Sequence, residues 1–261
     1  MSDNKRKVLI IPDRKQMDKC LELAKEYRLG FEFNDFYFPD ILDSEEELEK
    51  IISEYKRHNL PGIMTVHGAF FDVIPYSMDG RIRKISDMRI NQSMDITRRI
   101  GAKAVIFHTN YNPCLNTKKY VQDWIEQNAE YWGEILEKNR DIHIYLENMF
   151  EISPDILEEL SEKLKKYENY GVCLDYAHAF ISDVEPEIWA RCLGRFVKHI
   201  HINDNDKKSD LHLAWGDGLI ERDKFYKCYE EYMNGATVLV ETSPMDRKIR
   251  SLEMLEREGF L

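Results

Sequence analysis

Residues 170–204 read YGVCLDYAHAFISDVEPEIWARCLGRFVKHIHIND, and the fold prediction starts from this stretch. An apolar run at 170–176 is followed by an amphipathic stretch near 185–194 and by a second apolar run at 196–203. Short β-rich runs that alternate with longer helical patterns are typical of strands joined by helices in a parallel sheet. The stretch therefore predicts one strand–helix–strand unit.

The same alternation extends along the chain in both directions. Apolar runs occur at residues 8–12, 30–36, 62–67, 104–108, 143–148, 170–176, 196–203 and 237–242. Helical patterns follow them near 14–28, 44–58, 83–100, 118–139, 153–166, 185–194, 222–233 and 246–258. This repetition predicts an α/β fold, a single (β/α)8 barrel. An open doubly wound sheet is the competing fold, but the chain has neither a GxGxxG nor a GxxxxGK[ST] phosphate loop.

Length and composition agree with one barrel. The chain has 261 residues, of which 43% are hydrophobic, and a barrel of this kind typically needs about 250 residues. We therefore expect one domain over residues 1–261. The net charge of −11 disfavours broad electrostatic binding to nucleic acid or to an anionic membrane.

Other features of the chain bear on its location. No apolar stretch reaches the roughly 18 residues of a membrane span, and the first residues lack the apolar core of a signal peptide. The five cysteines form no CxxC pair, which favours reduced thiols over disulfides or a cysteine-type zinc site. We expect a cytoplasmic protein that does not enter a membrane.

The aromatic-rich segment Tyr120–Trp132 belongs either to a helix face in the core or to a contact in an oligomer.

Ionisable side chains occur where the predicted strands end, which in this fold is the end that carries active sites. One from each of strands three to eight makes up the set His67, His108, Glu147, Asp175, His201 and Glu241. His178 lies three residues after the aspartate of the sixth strand, and the loop after the seventh strand adds Asp210 and His212. His199 points the same way as His201 but one layer deeper.

A single histidine or carboxylate at a strand end is most often a hydrogen-bonded structural group. Carboxylates and histidines that end six consecutive strands are harder to explain in this way, because buried unpaired charges cost several kcal/mol each. No Lys or Arg stands at the matching strand ends. A divalent metal ion is the simplest source of the missing positive charge. The mixed oxygen and nitrogen donors favour Zn²⁺ or Mn²⁺, with Mg²⁺ or Co²⁺ as further candidates.

At these positions the sequence resembles the xylose isomerase-like barrels, a group that includes the sugar phosphate isomerase/epimerase family and endonuclease IV. The resemblance runs from about Gly30 to Thr242. It rests on motifs that occur in the order of the strands: HGAF (67–70), FHTNY (107–111), LEN (146–148), CLDYAHAF (173–180), HIHINDND (199–206), DLHLAWGDG (210–218) and VET (240–242).

The resemblance implies two sets of metal ligands. In the sugar isomerases and epimerases one metal is held at positions that match Glu147, Asp175, His201 and Glu241. In endonuclease IV a zinc cluster uses these four positions and five more, which match His67, His108, His178, Asp210 and His212. All nine positions are filled here, and many isomerase-like relatives also carry most of these histidines, so the ligand set does not decide between the two activities.

The surrounding sequence favours a metal-dependent isomerase or epimerase that acts on a small sugar or sugar phosphate. Glu147 and Glu241 would form the acid–base pair that moves a proton at the carbon α to a carbonyl, through an enediolate. The stretch after His67 resembles the sugar enzymes, with Phe70 and Phe71 in place of a polar DNA-facing loop. The expected substrate-binding residues are Glu32, Phe70, Asn110, Tyr111, Asn148, His178 and Trp215.

The alternative is a zinc-cluster phosphodiesterase or abasic-site endonuclease, and nucleic acid is an expected partner only in that case. Basic residues that could line the mouth are Arg81, Arg83, Lys84, Lys118, Lys119, Lys207 and Lys208. A third hypothesis, a barrel that binds a ligand without chemistry, is disfavoured by the intact acid–base residues.

Overall fold

The computed structural model describes residues 6–70 and 73–261, and within them eight parallel strands form a closed barrel. The strands are β1 (Val8–Ile10), β2 (Gly30–Phe33), β3 (Met64–His67), β4 (Ala104–His108), β5 (His143–Glu147), β6 (Tyr170–Asp175), β7 (Val197–Ile202) and β8 (Thr237–Val240). Each strand pairs with the next, and β1 pairs with β8 from Val8↔Val238 onward, so the sheet has no edge. The predicted (β/α)8 barrel is confirmed.

Ten α-helices lie within the described ranges. They are α1 (Met17–Tyr27), α2 (Pro39–Leu42), α3 (Glu45–Lys56), α4 (Gly80–Ile100), α5 (Lys118–Lys138), α6 (Asp155–Leu164), α7 (Tyr176–Ile181), α8 (Pro186–Leu193), α9 (Arg222–Tyr232) and α10 (Met245–Arg257). Every predicted helical stretch contains a helix, and the short α2 and α7 are additional. None of the helices in the described residues is long and apolar enough to cross a membrane.

The helices pack their apolar faces against the outside of the barrel. In α5, Trp124 and Trp132 are buried in this core, which confirms the first of the two interpretations of the segment Tyr120–Trp132. Ser44 and Thr117 cap α3 and α5 with their side chains; Ser44, for example, accepts a hydrogen bond from the amide of Glu47 at the start of α3.

Strand register brings the predicted site residues to one end of the barrel. His108 pairs with Glu147 across β4 and β5, and Asp175 pairs with His201 across β6 and β7. Glu241 directly follows β8. Because all strands run in the same direction, these carboxyl ends open into a single cavity.

Candidate active site

The centre of the site is formed by Glu147, Asp175 and His201, which are all buried. One possible ligand atom from each of the three lies within 4.8 Å of the others. His201 Nδ1 is 3.0 Å from Glu147 Oε1 and 3.6 Å from Glu241 Oε2. The structure thus brings together the four residues that the resemblance implies for a single metal.

The other predicted ligands form two groups around this centre. His67 Nε2 and His108 Nε2 lie 3.4 Å and 3.2 Å from Glu147 Oε2. On the cavity side, Asp210 Oδ2 lies 3.3 Å from His178 Nε2 and 2.9 Å from His212 Nε2. Seven of the nine positions are thus Glu147, Asp210 and the five histidines in contact with them. Glu241 lies beside His201 and His212, and Asp175 lies beside His178.

Several buried oxygen and nitrogen atoms at the centre, all of them able to bind a metal, make no hydrogen bond among the described residues. They are Glu147 Oε2, Asp175 Oδ2, His108 Nδ1 and both ring nitrogens of His201; except for His108 Nδ1, these atoms have histidine–carboxylate contacts within 4 Å but no hydrogen bond. Buried polar atoms are usually satisfied, so such a group needs a reason. In the described part of the chain, no Lys or Arg lies within 4 Å of Glu147, Asp175 or Glu241. Carboxylate oxygens and imidazole nitrogens in this arrangement fit a divalent cation.

The buried carboxylates respond to their surroundings in opposite ways. Burial raises the pKa of Asp175 to about 7, and the negative charges of Glu241 and Glu147 add to the rise. Burial acts in the same direction on Glu147, but His201 and His108 lower the pKa of that carboxyl well below its ordinary value. Histidines therefore supply the positive charge that keeps Glu147 ionised.

A second polar layer lies beneath His201. Glu32 is fully buried, and its Oε1 lies 3.2 Å from His201 Nε2. Its Oε2 lies 3.0 Å from His199 Nε2 and accepts a 2.6 Å hydrogen bond from Thr65. The structure confirms that His199 is deeper than His201. It does not support the predicted substrate contact of Glu32, because this carboxylate is occupied below the site.

The cavity above the centre has a volume of about 500 Å³. Much of its wall is apolar and comes from loops, where the rings of Tyr37 and Phe70 are tilted by 37° at 4.8 Å between centroids and Phe70 lies 5.1 Å from the ring of His108. The remaining lining residues are Ile11, Asn34, His67, Met149, Phe150, His178, Asp210, His212, Glu241 and Ser243. No Lys or Arg lines this cavity within the described ranges. Phe71, predicted beside Phe70, lies outside the described residues.

Asn110 and Tyr111 stabilise loops and do not line the cavity. The Asn110 side chain donates to the carbonyls of Phe70 and Val73, and its backbone has a left-handed φ of 51°. The Tyr111 hydroxyl donates to the carbonyl of Leu115. The structure does not support the predicted substrate contacts of these two residues, whose polar groups are used to shape the loop after β4.

Asn148 and Trp215 are also internal. The Asn148 side chain exchanges two hydrogen bonds with the backbone of Asp175, at 2.9 and 2.8 Å. Trp215 is buried, donates from Nε1 to the hydroxyl of Tyr226 and donates from its backbone amide to the hydroxyl of Ser251. The structure therefore gives both residues structural roles and does not support their predicted substrate contacts.

Sequence reasoning missed the loop residues of the wall. Tyr37, Met149 and Phe150 line the cavity, but they stand outside the strands and belong to no motif. Only the aromatic pair Tyr37–Phe38, directly after the second strand, offered a signal of an exposed recognition surface.

Comparisons with known proteins agree with this architecture. The family model described as xylose isomerase-like TIM barrel matches residues 17–258. The uncharacterized protein MJ1311 of Methanocaldococcus jannaschii is 27% identical over 203 residues, which cover 74% of this chain and 69% of that protein.

Two solved structures extend the comparison. The TTHB071 protein of Thermus thermophilus, soaked with ZnCl2, superposes with a TM-score of 0.75 at 21% identity and covers 98% of both chains. A D-tagatose 3-epimerase-like protein has a TM-score of 0.75 at 23% identity, covering 95% of this chain and 96% of its own. At these identities the likeness shows a shared fold.

Proposed function

The chain belongs to the xylose isomerase-like TIM barrel family, and from this premise we propose that it is a divalent-metal-dependent isomerase or epimerase of a small carbohydrate. The observation that carries the proposal is the carboxylate pair Glu147 and Glu241, which flank His201 beneath a cavity without Lys or Arg in the described residues. Such a cavity suits a neutral polyol at the reacting end. The similarity to a D-tagatose 3-epimerase-like protein supports the same class.

Glu147, Asp175, His201 and Glu241 would hold the metal. Buried ligand atoms of Glu147, Asp175 and His201 that make no hydrogen bond support this assignment, and so does the zinc soak of a structural relative. When bound, a divalent ion supplies Lewis-acid stabilisation of negative charge that develops on the substrate oxygens. Zn²⁺ and Mn²⁺ suit this donor set best, and Mg²⁺ or Co²⁺ are further candidates.

Glu147 and Glu241 would share the proton transfer at the carbon α to the carbonyl. Glu147 is 1% exposed and contacts three histidines, whereas Glu241 is 9% exposed and lines the cavity. Different surroundings allow one carboxylate to take the proton while the other returns it. Phe70 would present an apolar face to the sugar, and His178 would donate from Nε2 to a substrate hydroxyl in place of its contact with Asp210.

The proposal is tested by proton exchange with solvent. Wild-type protein and the variant Glu147→Gln are incubated with D-fructose or D-tagatose in D₂O, and deuterium at the α carbon is followed by NMR. We expect exchange to fall by about 10²- to 10⁴-fold in the variant, since a general base is lost. Glu253→Gln, an exposed change on α10, is the matched control. Exchange at the wild-type rate in Glu147→Gln would refute the mechanism.

A zinc-cluster phosphodiesterase is the second candidate, because two further donor groups surround the centre. His67 and His108 face Glu147, and Asp210 bridges His178 and His212. This activity predicts two or three zinc ions per chain and cleavage of an abasic oligonucleotide that EDTA abolishes.

The surroundings of the cavity favour the carbohydrate proposal over this candidate. Of the basic residues considered for a nucleic-acid mouth, none is among the cavity-lining residues described. Lys119 pairs with Asp123 and Lys207 with Glu185 instead. One metal ion per chain with no cleavage of the oligonucleotide would exclude the phosphodiesterase.

A further inference from the structure

The cavity above Glu147 and His201 is called the metal cavity below. A second depression lies beside it, and we call this one the β8–β1 groove. It has a volume of about 820 Å³ and is formed by the loops after β1, β2 and β8 and by α3 and α10. Its lining residues are Ile11, Pro12, Asp13, Arg14, Lys15, Asp35, Glu54, Arg57, Ser243, Pro244, Met245 and Lys248. Ile11 and Ser243 also line the metal cavity, so the two spaces share a wall.

Lys248 is the unusual residue of this groove. It is only 2% exposed, and its ammonium group donates to a single acceptor, the backbone carbonyl of Ile11. In the described part of the chain no carboxylate lies within 4 Å of it, although Asp13 is near enough to influence it. Burial lowers the pKa of Lys248 below its usual value. A buried ammonium with one neutral acceptor is costly unless an anion joins it.

The position of Lys248 in its helix adds to this positive potential. It lies in the first turn of α10, where the helix dipole is positive and a cation is unfavourable. The acidic residue of that turn, Asp246, is directed to Arg250 at 3.9 Å. An anion in the groove would therefore satisfy both the lysine and the helix end.

The carboxylates of the groove are already used. Asp35 and Glu54 both accept from the guanidinium of Arg14, at 2.9 and 2.8 Å. Asp13 accepts from the amide of Lys15 and from the side chain of Gln16. These acidic groups are thus committed to neighbours other than Lys248.

Cationic donors remain in surplus. Among the described residues, the side chains of Arg57 and Lys15 have no ion-pair partner within 4 Å, and Lys248 has none either. The four cations of the groove, Arg14, Lys15, Arg57 and Lys248, therefore exceed its three carboxylates by one positive charge. The ammonium and guanidinium groups that have no ion-pair partner could donate hydrogen bonds to a negatively charged acceptor in the groove.

We propose that the β8–β1 groove binds an oxyanion, a phosphate or carboxylate group at the far end of the ligand whose reacting end occupies the metal cavity. Ile11 and Ser243 line both spaces, so the groove lies directly beside the metal cavity. The link to a substrate rests on the proposed function, whereas binding of the oxyanion itself does not. The substrate class becomes an acidic or phosphorylated sugar derivative with a neutral reacting end.

Direct titration of the full-length protein tests the oxyanion site. Inorganic phosphate and acetate are titrated separately by calorimetry into metal-loaded and EDTA-treated protein. We expect saturable binding in both states, because none of the proposed metal ligands lines the groove. Lys248→Met should weaken binding about 10- to 100-fold, the usual effect of losing a hydrogen bond to a charged group.

Two further variants make the result decisive. Arg57→Gln, at an exposed position, should weaken binding about two- to fivefold and keeps the test valid if Lys248→Met does not fold. Lys163→Met, exposed on α6 and outside the groove, should bind like wild type. Binding that EDTA abolishes and Lys248→Met leaves unchanged would place the anion on the metal and overturn the proposal. Absence of saturable binding in both states would overturn it as well.

The last arm separates this inference from the proposed function. Inhibition or turnover is compared for D-fructose and D-fructose 6-phosphate in wild type and Lys248→Met. A preference for the phosphate ester that Lys248→Met removes supports one ligand spanning both spaces. Oxyanion binding without such a preference would refute the spanning ligand, and it would leave the isomerase proposal to the exchange experiment.

Discussion

The imidazole of His201 presents its two nitrogens to different carboxylates. Nδ1 faces Glu147 and Glu241, whereas Nε2 faces Glu32 on the barrel side. When one ring nitrogen donates to a carboxylate, the ring is held in one tautomer and its other nitrogen is free to bind a metal. Glu32 is therefore a positioning residue for His201.

Replacing Glu32 by glutamine should weaken metal binding about 10- to 100-fold, the range seen when the partner of a metal-ligating histidine is altered. Glutamine keeps the size of the side chain but lacks the negative charge that holds the Nε2 proton. Competition with a fluorescent zinc chelator measures the Kd of both proteins. Glu253→Gln serves as the control, and equal Kd values in wild type and Glu32→Gln would contradict the role.

Within one strand the sequence predicts relative depth, as for His199 below His201, but it does not predict the depth of a residue on one strand relative to residues on another. Glu32 pairs with Thr65, two residues before His67, so it lies below the ligands although it also belongs to a strand. This level depends on the stagger between strands, which a one-dimensional pattern does not contain. Trp215 was predicted to contact the substrate but is buried in the core. An aromatic residue after a strand is compatible with either position, and the sequence does not distinguish them.

The ends of β5 and β6 are joined by Asn148. Its side chain both donates to and accepts from the backbone of Asp175, replacing a strand–strand hydrogen bond where the ladder ends. The carbonyl of Asn148 also pairs with Nδ1 of His178 at 2.9 Å. These hydrogen bonds between the ends of β5 and β6 set the spacing between Glu147 and Asp175.

Asn148→Ala should lower the free energy of unfolding by about 2–4 kcal/mol, because it leaves two buried backbone groups without partners. Urea denaturation followed by circular dichroism measures the change. Asn91→Ala is the matched control: Asn91 is exposed and bonds only to the carbonyl of Asp87, so its loss should stay within about 0.5 kcal/mol. Similar losses in both variants would show that Asn148 is an ordinary polar contact.

Helices of two turns or more are predictable from their periodicity, whereas α7 is not. It has six residues, fewer than two turns, so no repeat of the pattern can be detected. Its start is nevertheless important for the site, since Asp175 caps it by accepting from the amide of His178 through Oδ1. The other oxygen of the same carboxylate makes no hydrogen bond among the described residues and is left for the proposed metal.

For the whole molecule, the proposed metal acts as an internal counter-ion. Four carboxylates, Glu147, Asp175, Asp210 and Glu241, converge at one end of a chain whose net charge is already −11. Bringing them together without a cation costs free energy that the fold must supply. Stability should therefore depend on metal.

Removal of metal with EDTA should lower Tm by about 5–10 °C, given that a ligand at about 100 times its Kd contributes about 2.7 kcal/mol. Differential scanning calorimetry of treated and metal-restored protein measures the shift. In Asp175→Asn the metal is held poorly, so EDTA should have little effect. A wild-type Tm that does not respond to EDTA would mean that histidine protons alone balance these carboxylates.

The division of labour between strands and loops has a consequence for how specificity changes. The candidate ligands Glu147, Asp175 and His201 belong to the strands, whereas the wall comes from loops such as 34–38 and 149–153. The candidate ligands and the cavity wall therefore lie in different parts of the sequence. A library of variants confined to those loops would test new substrates without changing the candidate ligands. Substrate specificity could therefore change by substitution in the loops while the candidate ligands on the strands stay the same.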